Sequence, residues 1–101
     1  MIVNNPTPEQ LDELTKDGKV IVDFWAKWCG PCRAQAPIVE QLASSTDIKV
    51  VKVDVDEEEM LSLQFNVTSI PTLILFDGGE IKAQFVGLTS LEELKEVFNI
   101  K

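Results

Sequence analysis

Histidine is absent from the sequence, and cysteine occurs only twice. Zinc sites take about four nitrogen or sulfur ligands, so metal binding is left only with intersubunit or carboxylate-assisted arrangements, and no metal site is expected. No apolar stretch is long enough to span a bilayer. The opening Met1-Ile2-Val3-Asn4-Asn5-Pro6 has neither a basic region nor an apolar core, so no secretory signal is read there and a cytoplasmic location is expected. Cations are scarce: nine basic residues face seventeen acidic ones, for a net charge of −8. Such a surface repels phosphate backbones and anionic lipid, which disfavours nucleic-acid and membrane binding. It also keeps a small protein soluble, and a monomer is expected. Low-complexity tracts, internal repeats and linkers are missing as well. Two cysteines are too few for a disulfide-stapled scaffold.

What remains is an ordinary globular chain, 45% apolar over 101 residues, with room for one core and hence a single domain over residues 1–101. Ile2-Val3 is read as a short first strand. Thr7-Pro8-Glu9-Gln10 opens a helix, with Thr7 as N-cap, Pro8 at the first position and Gln10 completing a capping box. Leu11 and Leu14 should face the core, and Gly18 is a stop signal. Val20 to Trp25 is a nearly continuous apolar run, rich in β-branched and aromatic residues, that suggests a strand buried on both faces. A second helix should run from near Cys29 to about Ser44 and bury Ala36, Val39, Leu42 and Ala43, with Pro37 inside it bending the axis. Val50 to Val55 is a strand, followed by a helical stretch from about Glu57 to Phe65 with Met60, Leu61 and Phe65 at apolar positions. Ile70-Pro71-Thr72 opens a strand through Phe76, Asp77-Gly78-Gly79 signals a hairpin, and Ile81 to Val86 returns antiparallel. Ser90 with Glu93 caps a last helix whose Leu91, Leu94, Val97 and Phe98 recur at helical spacing. Strands alternating with helices imply an α/β fold whose mixed sheet has a parallel βαβ part and a C-terminal antiparallel hairpin, flanked by four helices.

The chemistry-bearing motif is Trp28-Cys29-Gly30-Pro31-Cys32, just after an apolar strand and where a helix should begin. Backbone N–H groups are unpaired at a helix N-terminus and the dipole end is positive. A thiolate there is stabilised and its pKa falls, and Cys29 receives that field most directly. Cys32 lies one turn further on. Residues at that spacing stand about 5–6 Å apart at Cβ, so modest adjustment closes a disulfide. Gly30 leaves the approach to the sulfurs unobstructed, and Pro31 presets the first helical turn. A structural disulfide would close a tiny loop and gain little. Two unrelated core cysteines would not require this strand–helix context. Redox chemistry is therefore the favoured reading over these and over zinc.

Asp23 interrupts the apolar run Val20-Ile21-Val22-Asp23-Phe24-Trp25, a pattern that predicts burial and, through desolvation, a raised pKa. Taken alone, Lys52 reads as a snorkelling surface lysine, and the acids from Asp54 to Glu59 read as a solvated helix start favoured by the dipole.

The segment Val22-Asp23-Phe24-Trp25-Ala26-Lys27-Trp28-Cys29-Gly30-Pro31-Cys32-Arg33, with Ile70-Pro71-Thr72 and Val86-Gly87 further on, closely resembles the thioredoxin family. The resemblance covers nearly the whole chain and implies a thioredoxin fold with protein-disulfide reductase activity and no cofactor. It further implies that Cys29 attacks and Cys32 resolves, that Asp23 is a buried carboxylate assisting proton transfer with Lys52 nearby, and that Pro71 is a cis-proline whose neighbours, Ile70 among them, pair with extended substrate. Trp28, Gly30, Pro31 and Gly87 would line the docking surface, and Pro37 would kink the active-site helix. The implied partners are protein disulfides and a thioredoxin reductase as electron donor. Three positions depart from the common pattern: Lys27, at a variable site that is often acidic or neutral, Ser69, where glycine is frequent, and the Asp77-Gly78-Gly79 turn. Gly30-Pro31 resembles the reducing members. An oxidase or isomerase, or a non-catalytic subunit using the same surface, stay open as alternatives.

Overall fold

The computed structural model describes residues 1–100. Nine elements follow one another: β1 (Ile2–Asn4), α1 (Pro8–Thr15), β2 (Lys19–Trp25), α2 (Gly30–Ser45), β3 (Lys49–Asp54), α3 (Glu59–Gln64), β4 (Thr72–Asp77), β5 (Glu80–Val86) and α4 (Leu91–Val97). They build one sheet in the order β1-β3-β2-β4-β5. β3 runs parallel to both β1 and β2, while β4 is antiparallel to β2 and to β5. Parallel neighbours need a crossover, which α1 and α2 provide. The antiparallel pair β4–β5 needs only the two-residue turn Gly78-Gly79, where φ is +61° and +86°. A Cβ on Gly79 would also stand 3.2 Å from the Lys16 carbonyl.

Side chains alternate across a strand, so β2 feeds two cores. Ile21 joins Val50, Leu73 and Leu75 beneath Val39 and Leu42 of α2 and Leu94 of α4. Val20, Val22 and Phe24 join Val51, Val53 and Ile74 beneath Leu11 of α1 and Leu61 of α3. Burial on both faces explains why β2 reads as a continuous apolar run rather than an alternating one.

Both capping boxes form. The Thr7 hydroxyl accepts from the Gln10 N–H at 3.1 Å while the Gln10 side chain accepts from the Thr7 N–H at 2.9 Å. Ser90 and Glu93 do the same at 3.2 and 3.0 Å. Helix α2 continues through Pro37, whose ring lies exposed.

Several expectations need correcting. Leu14, Leu91 and Val97 pack against the core as expected, though only half-buried, but Ala36 is half-buried and the core face of α2 takes Gln35 instead. Helix α3 starts at Glu59, two residues later than expected, and Met60 points outward, 71% exposed. The delay has a local cause. The Asp54 carbonyl accepts from the N–H groups of Glu57 and Glu58 at 3.1 and 2.9 Å, and its carboxylate accepts from the Asp56 N–H at 2.9 Å. Residues 54–58 are thereby held in a turn, and Asp54 is buried rather than solvated.

Candidate active site

β2 is a rigid central strand, so its C-terminal end carries the next residues to a fixed place. After Trp25 the chain turns through Ala26, Lys27 and Trp28, with the Cys29 N–H donating to the Ala26 carbonyl at 3.2 Å. Cys29 is the N-cap of α2: its backbone is extended, and its Sγ accepts from the Cys32 N–H at 3.2 Å. The motif thus places Cys29 at the outermost position of the helix dipole, and Cys32 one turn inward. The two are joined as a disulfide with a Cα–Cα distance of 5.3 Å, within the usual range. In this bonded form both are buried, 4% and 5% exposed, so Cys29 is no more open than Cys32. They pack with Ala26 against Trp25, Val55 and Ile70.

Across from the disulfide lies the start of β4. The Ile70–Pro71 bond is cis, the state that the resemblance implies. The Pro71 carbonyl accepts from the Gly87 N–H at 2.8 Å, and the Thr72 hydroxyl donates to the Ser69 carbonyl at 2.6 Å. Gly87 has φ +93°, a conformation L side chains rarely adopt. Pro71 is buried, Ile70 and Gly87 are partly so, and Gly30 and Pro31 are exposed. A Cβ on Gly30 would meet nothing within 4 Å. No packing inside the molecule therefore requires a glycine there. Trp28 is 68% exposed, with its indole N–H donating to the Asp56 carboxylate at 2.9 Å.

On the inner side, Asp23 and Lys52 are direct partners in the β2–β3 register and point to the same sheet face. Asp23 is 1% exposed. Its pKa is raised from 3.8 to about 6 by loss of hydration, against which the Lys52 charge acts as a smaller, lowering influence. One Asp23 oxygen, Oδ1, and the Trp25 indole N–H have no hydrogen-bond partner among the described residues. Lys52 is mostly buried, its Nζ 3.7 Å from Glu40 Oε2 and 5.5 Å from the centre of the Trp25 ring. A cavity of about 250 Å³ joins Asp23, Lys52, Trp25 and Cys32, and Lys27 and Arg33 also line it. The carboxyl therefore faces the space beside the inner sulfur, not the outer one.

Sequence reasoning missed one long-range element of this arrangement. The buried Gln35 amide donates to the Thr89 carbonyl at 3.0 Å and accepts from the Thr89 N–H at 2.8 Å. This two-bond clasp fastens the segment after Gly87 to the helix that carries the cysteines. The only local signal was a polar residue on the buried face of α2, one turn after Cys32. Among the described residues, no group of three or more cysteine, aspartate or glutamate side chains converges as a metal site, and no helix is long and apolar enough to cross a membrane.

Comparison with known proteins agrees with this geometry. The thioredoxin family model matches residues 3–99. The chain is 44% identical over 101 residues to the thioredoxin of Staphylococcus haemolyticus, covering 98% of this chain and 97% of that one. It is 39% identical to the thioredoxin of Bacillus subtilis with the same coverage. A single-residue mutant of the thioredoxin from Halobacterium salinarum superposes with a TM-score of 0.87 at 39% identity, over 95% of this chain and 86% of that chain. With a disulfide-forming cysteine pair capping its active-site helix and these relatives along its length, the chain belongs to the thioredoxin family of thiol–disulfide oxidoreductases.

Proposed function

We propose that this protein reduces disulfide bonds in other proteins, with Cys29 as the attacking group. The observation that carries the reading is the position of Cys29 as the N-cap of α2, where a thiolate meets unpaired N–H groups and the positive end of the dipole. In the dithiol form, the Cys29 thiolate attacks one substrate sulfur. A Cys29–substrate disulfide forms, the substrate S–S bond breaks, and the departing sulfur leaves as a thiolate that takes a proton from water. Cys32 then gives its proton to the Asp23 carboxylate and attacks Cys29 Sγ. The Cys29–Cys32 bond forms and the second substrate sulfur departs. Two electrons have moved from the protein to the substrate.

Asp23 suits this role because a carboxyl with a pKa of about 6 is ionised at neutral pH yet basic enough to accept a proton. Lys52 keeps that pKa from rising further. Trp28, Gly30, Pro31, Ile70 and Gly87 surround the cysteines as the surface on which the substrate chain rests, with the backbone beside Pro71 offered for pairing. A thioredoxin reductase returns the disulfide to the dithiol, and the protein works in the reducing cytoplasm. Gly30-Pro31, shared with the reducing members by resemblance, supports this direction.

The test has two parts. Equilibration with glutathione gives the potential: a value at or below the cytosolic glutathione poise supports a reductase, and a strongly oxidising one converts the reading to an oxidase or isomerase. Cys32→Ser should accumulate mixed disulfides with proteins from lysate. If none form, and the Cys29→Ser, Cys32→Ser double variant keeps its biological activity, the chain is a binding module instead.

A further inference from the structure

Charge is distributed unevenly around the cysteines. Lys27 lies two residues before Cys29 and Arg33 one residue after Cys32, and both side chains are exposed. The Arg33 guanidinium donates to the Lys27 carbonyl at 3.1 Å, so the loop that carries one cation also holds the other in place. Both line the cavity that reaches Cys32 and Asp23. Among the described residues, ion pairs join Lys16 to Glu13, Lys52 to Glu40 and Lys82 to Glu80, and no carboxylate pairs with Lys27 or Arg33. In a chain with seventeen acids for nine bases, two adjacent unpaired cations stand on the Cys32 side of the disulfide, while the Asp56 carboxylate flanks Cys29 on the other side through Trp28.

We propose that Lys27 and Arg33 are specificity-determining residues, and that the disulfide this protein takes best lies in a polypeptide segment carrying carboxylates beside the attacked cysteine. The inference rests on the reductase reading above and names its substrate class. The net charge of −8 works against an acidic segment only at long range, because the Debye length is about 8 Å at physiological ionic strength. Once the segment is docked, its carboxylates lie within that distance of the two cations and the remainder of the surface is screened. An exposed ion pair is worth about twofold to fivefold in affinity, so the pair of cations together gives roughly a tenfold preference.

Any influence of these charges on the reactivity of the Cys29 thiolate would act on attack at every disulfide alike. The measurement must therefore be a ratio between two substrates, in which thiolate reactivity cancels. Two peptides of equal length serve as probes, each carrying the same mixed disulfide, one with glutamate and one with lysine on either side of the cysteine. Single-turnover reduction by the dithiol protein at about 0.15 M salt, the physiological ionic strength, gives a glutamate-to-lysine rate ratio for each variant. Lys27→Glu should lower that ratio about fivefold or more, Arg33→Glu should act in the same direction, and Lys27→Arg should preserve it. Lys16→Glu, the same charge change at the opposite end of β2, should leave it unmoved. At about 0.5 M salt the effect of Lys27→Glu should shrink through screening. A ratio that Lys27→Glu does not change, or that Lys16→Glu changes equally, overturns the proposal while leaving the reductase reading standing. If no variant, wild type included, reduces either peptide, the reductase reading itself fails and this inference with it.

Discussion

Replacing Asp23 by asparagine should make the protein more stable at neutral pH and less stable than the wild type in acid. The carboxyl is buried in β2 and its pKa rises from 3.8 to about 6 because burial removes hydration from the charged form. A group whose folded pKa exceeds its unfolded value favours the folded state least where it is ionised in both. Below about pH 3.8 the carboxyl is protonated in both states, and its ionisation costs nothing. Between the unfolded and folded values the unfolded chain has released its proton and the folded one has not, so stability falls as pH rises. Above about pH 6 the loss is complete. With each pKa unit worth about 1.4 kcal/mol, a rise from 3.8 to about 6 corresponds to about 3 kcal/mol. Asparagine keeps the shape and removes the charge, though its amide also enters a site where Asp23 Oδ1 has no partner. An unsatisfied buried group costs about 1–3 kcal/mol, so the net gain should be about 0–2 kcal/mol.

Guanidinium unfolding of the oxidised protein, wild type against Asp23→Asn, measures this at about pH 7.5 and again near pH 3.5, either side of the two pKa values. The difference between the two proteins cancels the other sixteen acids. The expected outcome is a variant about 0–2 kcal/mol more stable at the higher pH, and about 3 kcal/mol less favoured than that at the lower one, where only the amide cost of about 1–3 kcal/mol remains. A difference that does not change with pH would refute the linkage, whatever its size. Carbon-detected NMR titration of the carboxyl gives the same answer independently: a midpoint at or below 3.8 would show a solvated or ion-paired group and would remove the proton-transfer role.

Further outcomes follow from the same geometry. Lys52→Met removes the lowering influence on Asp23 and should move its carboxyl titration above pH 6, read by the same NMR experiment. In the reduced protein, brief treatment with iodoacetamide at neutral pH should label Cys29, at the N-cap, well before Cys32, one turn inward, and peptide mapping reports the order. Gln35→Ala removes both hydrogen bonds to Thr89 and leaves a cavity, so urea unfolding should show a loss of about 2–4 kcal/mol.

The parts of this molecule that were legible in the sequence are those set by neighbours in the chain. Thr7 with Gln10 and Ser90 with Glu93 lie three residues apart, and each pair satisfies its own helix start whatever the rest of the fold does. Cys29 and Cys32 are one turn apart, so their joining needed only the helix and the strand before it. Asp23 was readable for a related reason: alternation along β2 puts it on the face of Ile21, inside the molecule. Met60 shows where such reasoning fails. Apolar composition marked it as core, but Leu61 takes the buried face and Met60, one residue and about 100° away around the helix, faces outward.

What the residue pattern alone left hidden, though the family resemblance implied the Asp23–Lys52 part of it, depends on residues that only the finished sheet brings together. Asp23 and Lys52 become neighbours through the β2–β3 register, and a shift of one residue would send the lysine to the opposite face. Gln35 meets Thr89 across 54 positions of sequence, and no local pattern on either side specifies the other. The consequence for function is a division of labour along the chain. Local sequence supplies the reactive pair and its helix. The sheet register supplies the lysine that lowers the raised pKa of the Asp23 carboxyl beside the inner sulfur, and the Gln35–Thr89 clasp holds the Gly87 rim against the same helix. On the proposed mechanism, a substitution that slips β3 against β2 would therefore leave the cysteines and Asp23 in place and still slow the second step. Without Lys52 opposite it, the carboxyl would stay protonated to higher pH, and on that mechanism it would be less available to take the proton of Cys32.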